Sequence, residues 1–158
     1  MIHYEKGGVI VRDAVGSDVA VLKDRLRIKD AEEIAAEGFS AEDALGISFS
    51  NSTMRYTIER DGVPVAIFGV VPDVVMGSSA RVWFLGAEEL GRMKKTFVRG
   101  TGVFIERFLE RYPVLWNHVD ARYTQTIRWL KAFGARFEEA APFGPEGHLF
   151  TKFVIWRG

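Results

Sequence analysis

A chain of 158 residues, 47% of them hydrophobic, is long enough for one compact domain with a real core and short for two. Lys and Arg balance Asp and Glu at 21 each, so no net field recruits nucleic acid or a membrane surface. The absence of cysteine excludes disulfides and thiolate metal sites, and His3, His118 and His148 are too scattered for a metal triad, so no metal is expected.

The opening MIHYEKGGVIV lacks the apolar run and small-residue cleavage site of a signal peptide. No segment is apolar for the length a membrane span needs, and a soluble cytoplasmic chain is expected. Val9 to Arg12 is a short β-rich run. Ser17 or Asp18 can then cap a helix with Val19, Leu22 and Leu26 on one face. Asp30 to Gly38 and Ala41 to Leu45 read as shorter, more polar helices, with Gly38 as a stop and Ser40 as the next cap.

Met54 to Arg60 alternates apolar and polar residues as a half-buried strand does, which turns Glu59 to solvent. Asp61-Gly62 is a two-residue hairpin signal, and the return strand VPVAIFGVV, apolar on both faces, belongs in the middle of a sheet. Arg81 to Gly86 (RVWFLG) is another strand. A long helix comes next and ends before Pro113, because the residue preceding proline disfavours helix. Val114 to Asp120 is strand-like, Thr124 to Phe133 is a helix stopped by Gly134, and Phe137 to Ala140 leads through the turn APFGPEG into the strand His148 to Trp156. With no repeat and no linker, one mixed α/β domain over residues 1–158, built on a largely antiparallel sheet, is expected.

Within the long helical stretch, FVRGTGVFIERFL supports two readings. Arg99, Gly100, Thr101 and Gly102 resemble a glycine loop that cradles a pyrophosphate. A helix starting at Arg99 has about 14 residues, roughly 21 Å, whereas one starting near Met93 has about 20. Phe97, Thr101, Phe104, Phe108 and Tyr112, flanked by Ile105 and Leu109, form one continuous helical face, which favours the earlier start. Gly100 and Gly102 then lie inside the helix, at about 0.8–1 kcal/mol each relative to Ala. No Gly-x-Ser-x-Gly elbow, P-loop or dinucleotide fingerprint occurs.

The element order, the opening VIVRDAVGSDVAVL and the segment VDARYTQTIRWLKAFGARF resemble the GNAT (GCN5-related N-acetyltransferase) superfamily. RVWFLGAEEL together with YPVLWNHVDARYTQTIRWLKAFGA resembles more narrowly a GNAT-like family of tailed phages and prophages, which includes internal virion proteins and acetyltransferases. The resemblance implies a central sheet flanked by helices, with a fourth and fifth strand splayed apart. It implies an acyl-CoA co-substrate in that notch, its pantetheine paired with the strand edge at Trp83, Phe84 and Leu85. The pyrophosphate would sit where the next helix begins, on the turn Leu90 to Lys95 with Gly91, Arg92, Met93, Lys94 and Lys95, or on Arg99 and Gly100 in the alternative reading. Arg92, Lys94 and Lys95 also read as a solvated cationic surface.

The resemblance further implies an N-acyltransferase, with acetyl-CoA or another acyl-CoA as donor and a small-molecule or protein amine as direct attacker. Positioning and carbonyl polarisation carry much of such a reaction. Counted back from Gly134, the family's Tyr acid falls at Leu130, which cannot donate a proton, and its frequent Asn falls at Tyr123. Candidate bases are Asp120, Glu88 and Glu89, each of which also reads as a surface carboxylate or helix cap. His118 and Asp120 lie two apart on one strand face, as a structural hydrogen bond or a base–orienter pair. Leu130 and the bulky Phe104 at the last loop position motivate the alternative: a weak or inactive GNAT-fold phage protein with a virion-assembly or protein-binding role. Its partners would be phage structural proteins, it would be virion-associated, and the notch would be filled. Trp116, Trp129 and Trp156 read as core, part of which would cover an interface in a homodimer.

Overall fold

The computed structural model describes residues 1–156; for 91, 92, 94–99 and 101 it describes the backbone alone. The strands are β1 Ile2–Lys6, β2 Val9–Asp13, β3 Met54–Arg60, β4 Val63–Pro72, β5 Ser79–Gly86, β6 Val114–Asp120, β7 Arg136–Phe137, β8 Ala141–Phe143 and β9 His148–Trp156. The helices are α1 Gly16–Leu22, α2 Ile28–Ala36, α3 Ala41–Asn51, α4 Lys94–Arg111 and α5 Thr124–Ala132, with a 3-10 turn over Glu88–Arg92. Among the described residues the nine strands form one sheet in the order β1-β2-β3-β4-β5-β6-β9-β7, with β8 also on β9. β5–β6 is parallel and the other pairings are antiparallel, giving the mixed α/β, largely antiparallel architecture.

Two cores form because β4 is apolar on both faces. Ala66, Phe68 and Val70 point into a large cluster with Phe104, Phe108, Tyr112, Leu115 and Leu130 beneath α4 and α5. Ile67 points the other way, into a smaller cluster with Leu22, Leu45, Trp83 and Ala87 beneath α1 and α3. The Asp61-Gly62 hairpin is present, with φ of 50° and 84° that match a primed turn.

Several local expectations need correction. β1 and β8 are strands where no strand was predicted: IHYEK is short and polar, and Ala141–Phe143 lies inside a Pro/Gly segment that reads as turn. Both gain their ladder from a neighbour, β1 from β2 and β8 from β9. α1 begins one turn earlier than an Asp18 cap implies; the Asp18 carboxylate accepts the Val15 N–H at 2.9 Å from inside the first turn. Glu59 does not face solvent; it accepts from Arg12 Nε at 2.9 Å across the sheet.

α4 starts at Lys94, so Gly100 and Gly102 are helix interior. Phe104 is 1% exposed and meets the Tyr56 and Phe68 rings at 4.8 and 5.3 Å. It is a core residue beneath α4 and leaves the glycine-loop reading without support.

Candidate functional site at the splay of β5 and β6

β5 and β6 pair only over Ser79–Val114, Ala80–Leu115 and Arg81–Trp116. Beyond that point Val82–Gly86 and Asn117–Asp120 are no longer partners. Asn117 stands at the fork and satisfies both strands at once. Its Nδ2 donates to the Val82 carbonyl at 2.7 Å while its Oδ1 accepts the His118 N–H at 2.7 Å. A short side chain thereby replaces the next rung of the ladder.

The open end of the fork is crossed by α2. Leu26 bridges Ala87, and the Arg27 N–H donates to the Gly86 carbonyl at 2.7 Å. The buried Asp30 carboxylate accepts the Gly86 N–H at 2.9 Å and is held by the Arg27 guanidinium at 2.9 Å. One turn later Glu33 Oε1 accepts the Asp120 N–H at 3.3 Å. The two carboxylates of α2 thus take a backbone donor from each side of the splay. Burial pushes the Asp30 carboxyl above its ordinary value, against the pull of Arg27. Burial pushes Glu33 up to about 8, helped by the charges of Asp30, Glu37 and Asp120.

The other contacts of α2 are also mostly polar. Glu88 accepts the Ile28 N–H at 3.0 Å and so caps the helix start. Tyr123 donates to Glu32 at 2.8 Å and to the Lys29 carbonyl at 3.2 Å, and Lys29 reaches Thr126 on α5 at 3.0 Å. At its other end, the Ala36 carbonyl presses on Gly144 so closely that a Cβ there has no room, and Gly38 packs on Pro145.

The residues singled out from the sequence take varied places around this fork. Asp120 is 1% exposed and bidentate with Arg122, whose hydrogen bonds hold its carboxyl below the ordinary range; such a carboxylate is a weak base. Tyr123 has its phenol raised, first by burial and then by its bond to Glu32, which makes it a poorer proton donor. Glu88 is the α2 cap, and Glu89 pairs with Arg25. His118 is not brought to Asp120; its ring stacks on Phe143 at 4.5 Å, and burial lowers its imidazole.

Trp83 is 4% exposed in the smaller core and donates to Ser52 at 2.7 Å. Phe84 stacks on Phe68 at 5.8 Å, and Leu85 packs on the smaller cluster. Met93 is buried in the large core, and Gly100 lies beside the Tyr4 ring. The side chains of Arg92, Lys94, Lys95 and Arg99, and the surroundings of Gly91, lie outside the described residues. Leu130 is buried among the α5 contacts of the large core.

Sequence reasoning missed Asp30, Glu33 and Asn117. A signal for Asp30 was available, because it shares a face with Ile34 at i, i+4, which puts a carboxylate in the apolar stripe. Nothing local marks Glu33 or Asn117, whose partners lie 87 and 35 residues away.

The splayed parallel pair inside an otherwise antiparallel sheet defines a GNAT-type fold. Ard1 from Thermoplasma volcanium shares it at a TM-score of 0.73 and 12% identity, over 95% of this chain and 98% of that one. A GNAT-family acetyltransferase from Bacillus anthracis shares it at 0.66 and 13%, over 99% and 98%. The spermidine N-acetyltransferase of Vibrio cholerae, solved with CoA and spermine, shares it at 0.64 and 14%, over 94% and 95%. Residues 56–141 match the family described as bacteriophage T7, probable scaffold protein Gp13, and the chain belongs to that family. The probable scaffold protein gp13 of Escherichia phage T7 is 31% identical over 108 residues, 66% of this chain and 73% of that protein. The phage resemblance therefore points to a scaffold family and corrects the expectation of internal virion proteins.

Proposed function

We propose that this chain is a GNAT-fold phage protein that works in virion assembly through protein contacts and does not turn over acyl-CoA. The observation that carries this reading is the engagement of the splay by α2. The pantetheine of an acyl-CoA would need the outward backbone groups of β5. The Val82 carbonyl is taken by Asn117, and both polar groups of Gly86 are taken by Arg27 and Asp30. With α2 in this position those groups are not open to such a chain. Membership of the probable scaffold family supports the same reading.

A surface suited to protein contact lies at the opposite end of β5. Val74, Val75 and Met76 are 64, 90 and 88% exposed in sequence, an apolar run that a monomer does not normally leave in water. The base of that loop is firm, since Asp73 accepts from Ser79 at 2.6 Å and from Trp116 Nε1 at 2.9 Å.

Titrated with acetyl-CoA to millimolar concentration, the protein is expected to give no calorimetric heat and no thermal shift. Micromolar binding, or CoA copurifying in native mass spectrometry, would overturn the reading. Co-expressed with the structural proteins of its phage, the chain should sediment with assembly intermediates, and Val75→Asp should reduce that fraction.

Acyl transfer is the second reading, and one observation favours it. The fork retains a half-buried carboxyl, Glu33, raised to about 8, which holds its proton at neutral pH and is therefore suited to donate one there.

A further inference from the structure

The contacts of α2 differ in kind from those of the rest of the fold. Its buried positions are Asp30, Ile34 and Ala36, so one of three is a carboxylate. It is fastened at its start and across its middle by hydrogen bonds: to β5 through Arg27 and Asp30, to β6 through Glu33, and to α5 through Lys29. Little apolar surface is lost to water if it lifts, and each broken bond is exchanged for one to solvent. What lifting exposes is specific, namely the Gly86 N–H and carbonyl on β5 and the Asp120 N–H on β6. These are the outward groups of two strand edges, spaced to receive an extended chain carrying its own amides.

We propose that α2 is a displaceable strap: Asp30 and Glu33 occupy, from within the chain, the strand-edge donors that an extended amide-bearing ligand of pantetheine type would use, so docked α2 and bound ligand exclude one another. The proposal rests on the reading above, in which the splay is closed in the resting protein, and adds that the closure is reversible. Binding to a protein whose competent state is scarce is weakened by that scarcity, and loosening the strap should restore it.

The strap can be released from either end. Asp30→Ala with Glu33→Ala removes the two carboxylates. Gly144→Ala leaves both in place and pushes on the Ala36 carbonyl from the far side, at a φ of 79° that disfavours any side chain. Each variant and the wild type would be titrated with acetyl-CoA by calorimetry, after circular dichroism and thermal unfolding establish the folded state. Both variants should bind at least about tenfold more tightly than wild type. Equal binding by the wild type and a folded variant overturns the strap. Tight binding by the wild type that the variants improve further overturns the closed-splay reading while leaving the strap intact. If neither variant folds, hydrogen exchange on the wild type decides. Amides of α2 should exchange well before those of β4, and exchange of both only by global unfolding overturns the proposal.

Discussion

Two carboxylates of this chain, both pushed up by burial, end on opposite sides of their ordinary values, and the difference lies in their partners. Asp18 is 2% exposed; burial works to raise it, but bonds from Arg12, the Val15 N–H and Thr57 outweigh that and hold it below its ordinary value. Its contribution to stability is present above the unfolded carboxylate value, about 4, and is lost as pH falls through the folded value. Asp18→Asn should cost about 3 kcal/mol in urea unfolding at neutral pH, because it strips the charge from a buried pair and leaves Arg12 with the Glu59 carboxylate and the Asp13 carbonyl. Glu33 has one backbone donor and three acidic neighbours, and sits at about 8 when folded. Between about 4.3 and that value the folded chain holds more protons than the unfolded one, so stability falls as pH rises. Glu33→Gln should leave the melting temperature nearly unchanged near about pH 4 and raise it near about pH 8. A rise of the same size at both values would show that the side chain's charge is not the cause.

Among the elements, α4 shows how a local motif is overruled by a longer one. Arg99 to Gly102 has the composition of a phosphate loop, yet the helix runs from Lys94 to Arg111 through it. Phe104, Phe108 and Tyr112 are almost fully buried, and withdrawing that stripe from water outweighs two interior glycines at about 1 kcal/mol each. A Cβ at Gly100 would meet the Tyr4 ring at 3.8 Å and one at Gly102 the Phe133 ring at 3.6 Å, which is ordinary contact. Gly100→Ala and Gly102→Ala should therefore each stabilise by about 0.5–1 kcal/mol in chemical denaturation. Destabilisation by both would mean that the helix needs a closer approach than this one.

For the molecule as a whole, stability is unevenly placed. β4 is buried on both faces and tied to β3 and β5, whereas α2 lies over the fork on polar contacts. In hydrogen exchange, the central β3–β4–β5 amides should protect longest and the α2 amides should open first. The same unevenness separates two ends of β5: Gly86, held by Asp30 of α2, and beyond Ser79 a firm loop that shows Val74, Val75 and Met76 to solvent. A GNAT-type fold carries both features, and the fold alone fixes no activity.

By itself the sequence determined the features that periodicity and turn chemistry dictate. The doubly apolar run of β4, the Asp61-Gly62 hairpin, the long stripe of α4 and the Gly134 stop lead to the mixed sheet and its flanking helices, because each is decided within about 20 residues. The place of Phe104 in that apolar stripe was likewise legible, and it is core. Only the tertiary structure decided the state of the fork. Whether Asp30, Glu33 and Asn117 face water or backbone depends on partners 56, 87 and 35 residues away. No local pattern encodes such pairings; they arise when sheet closure brings unsatisfied strand-edge donors beneath a polar helix that can satisfy them.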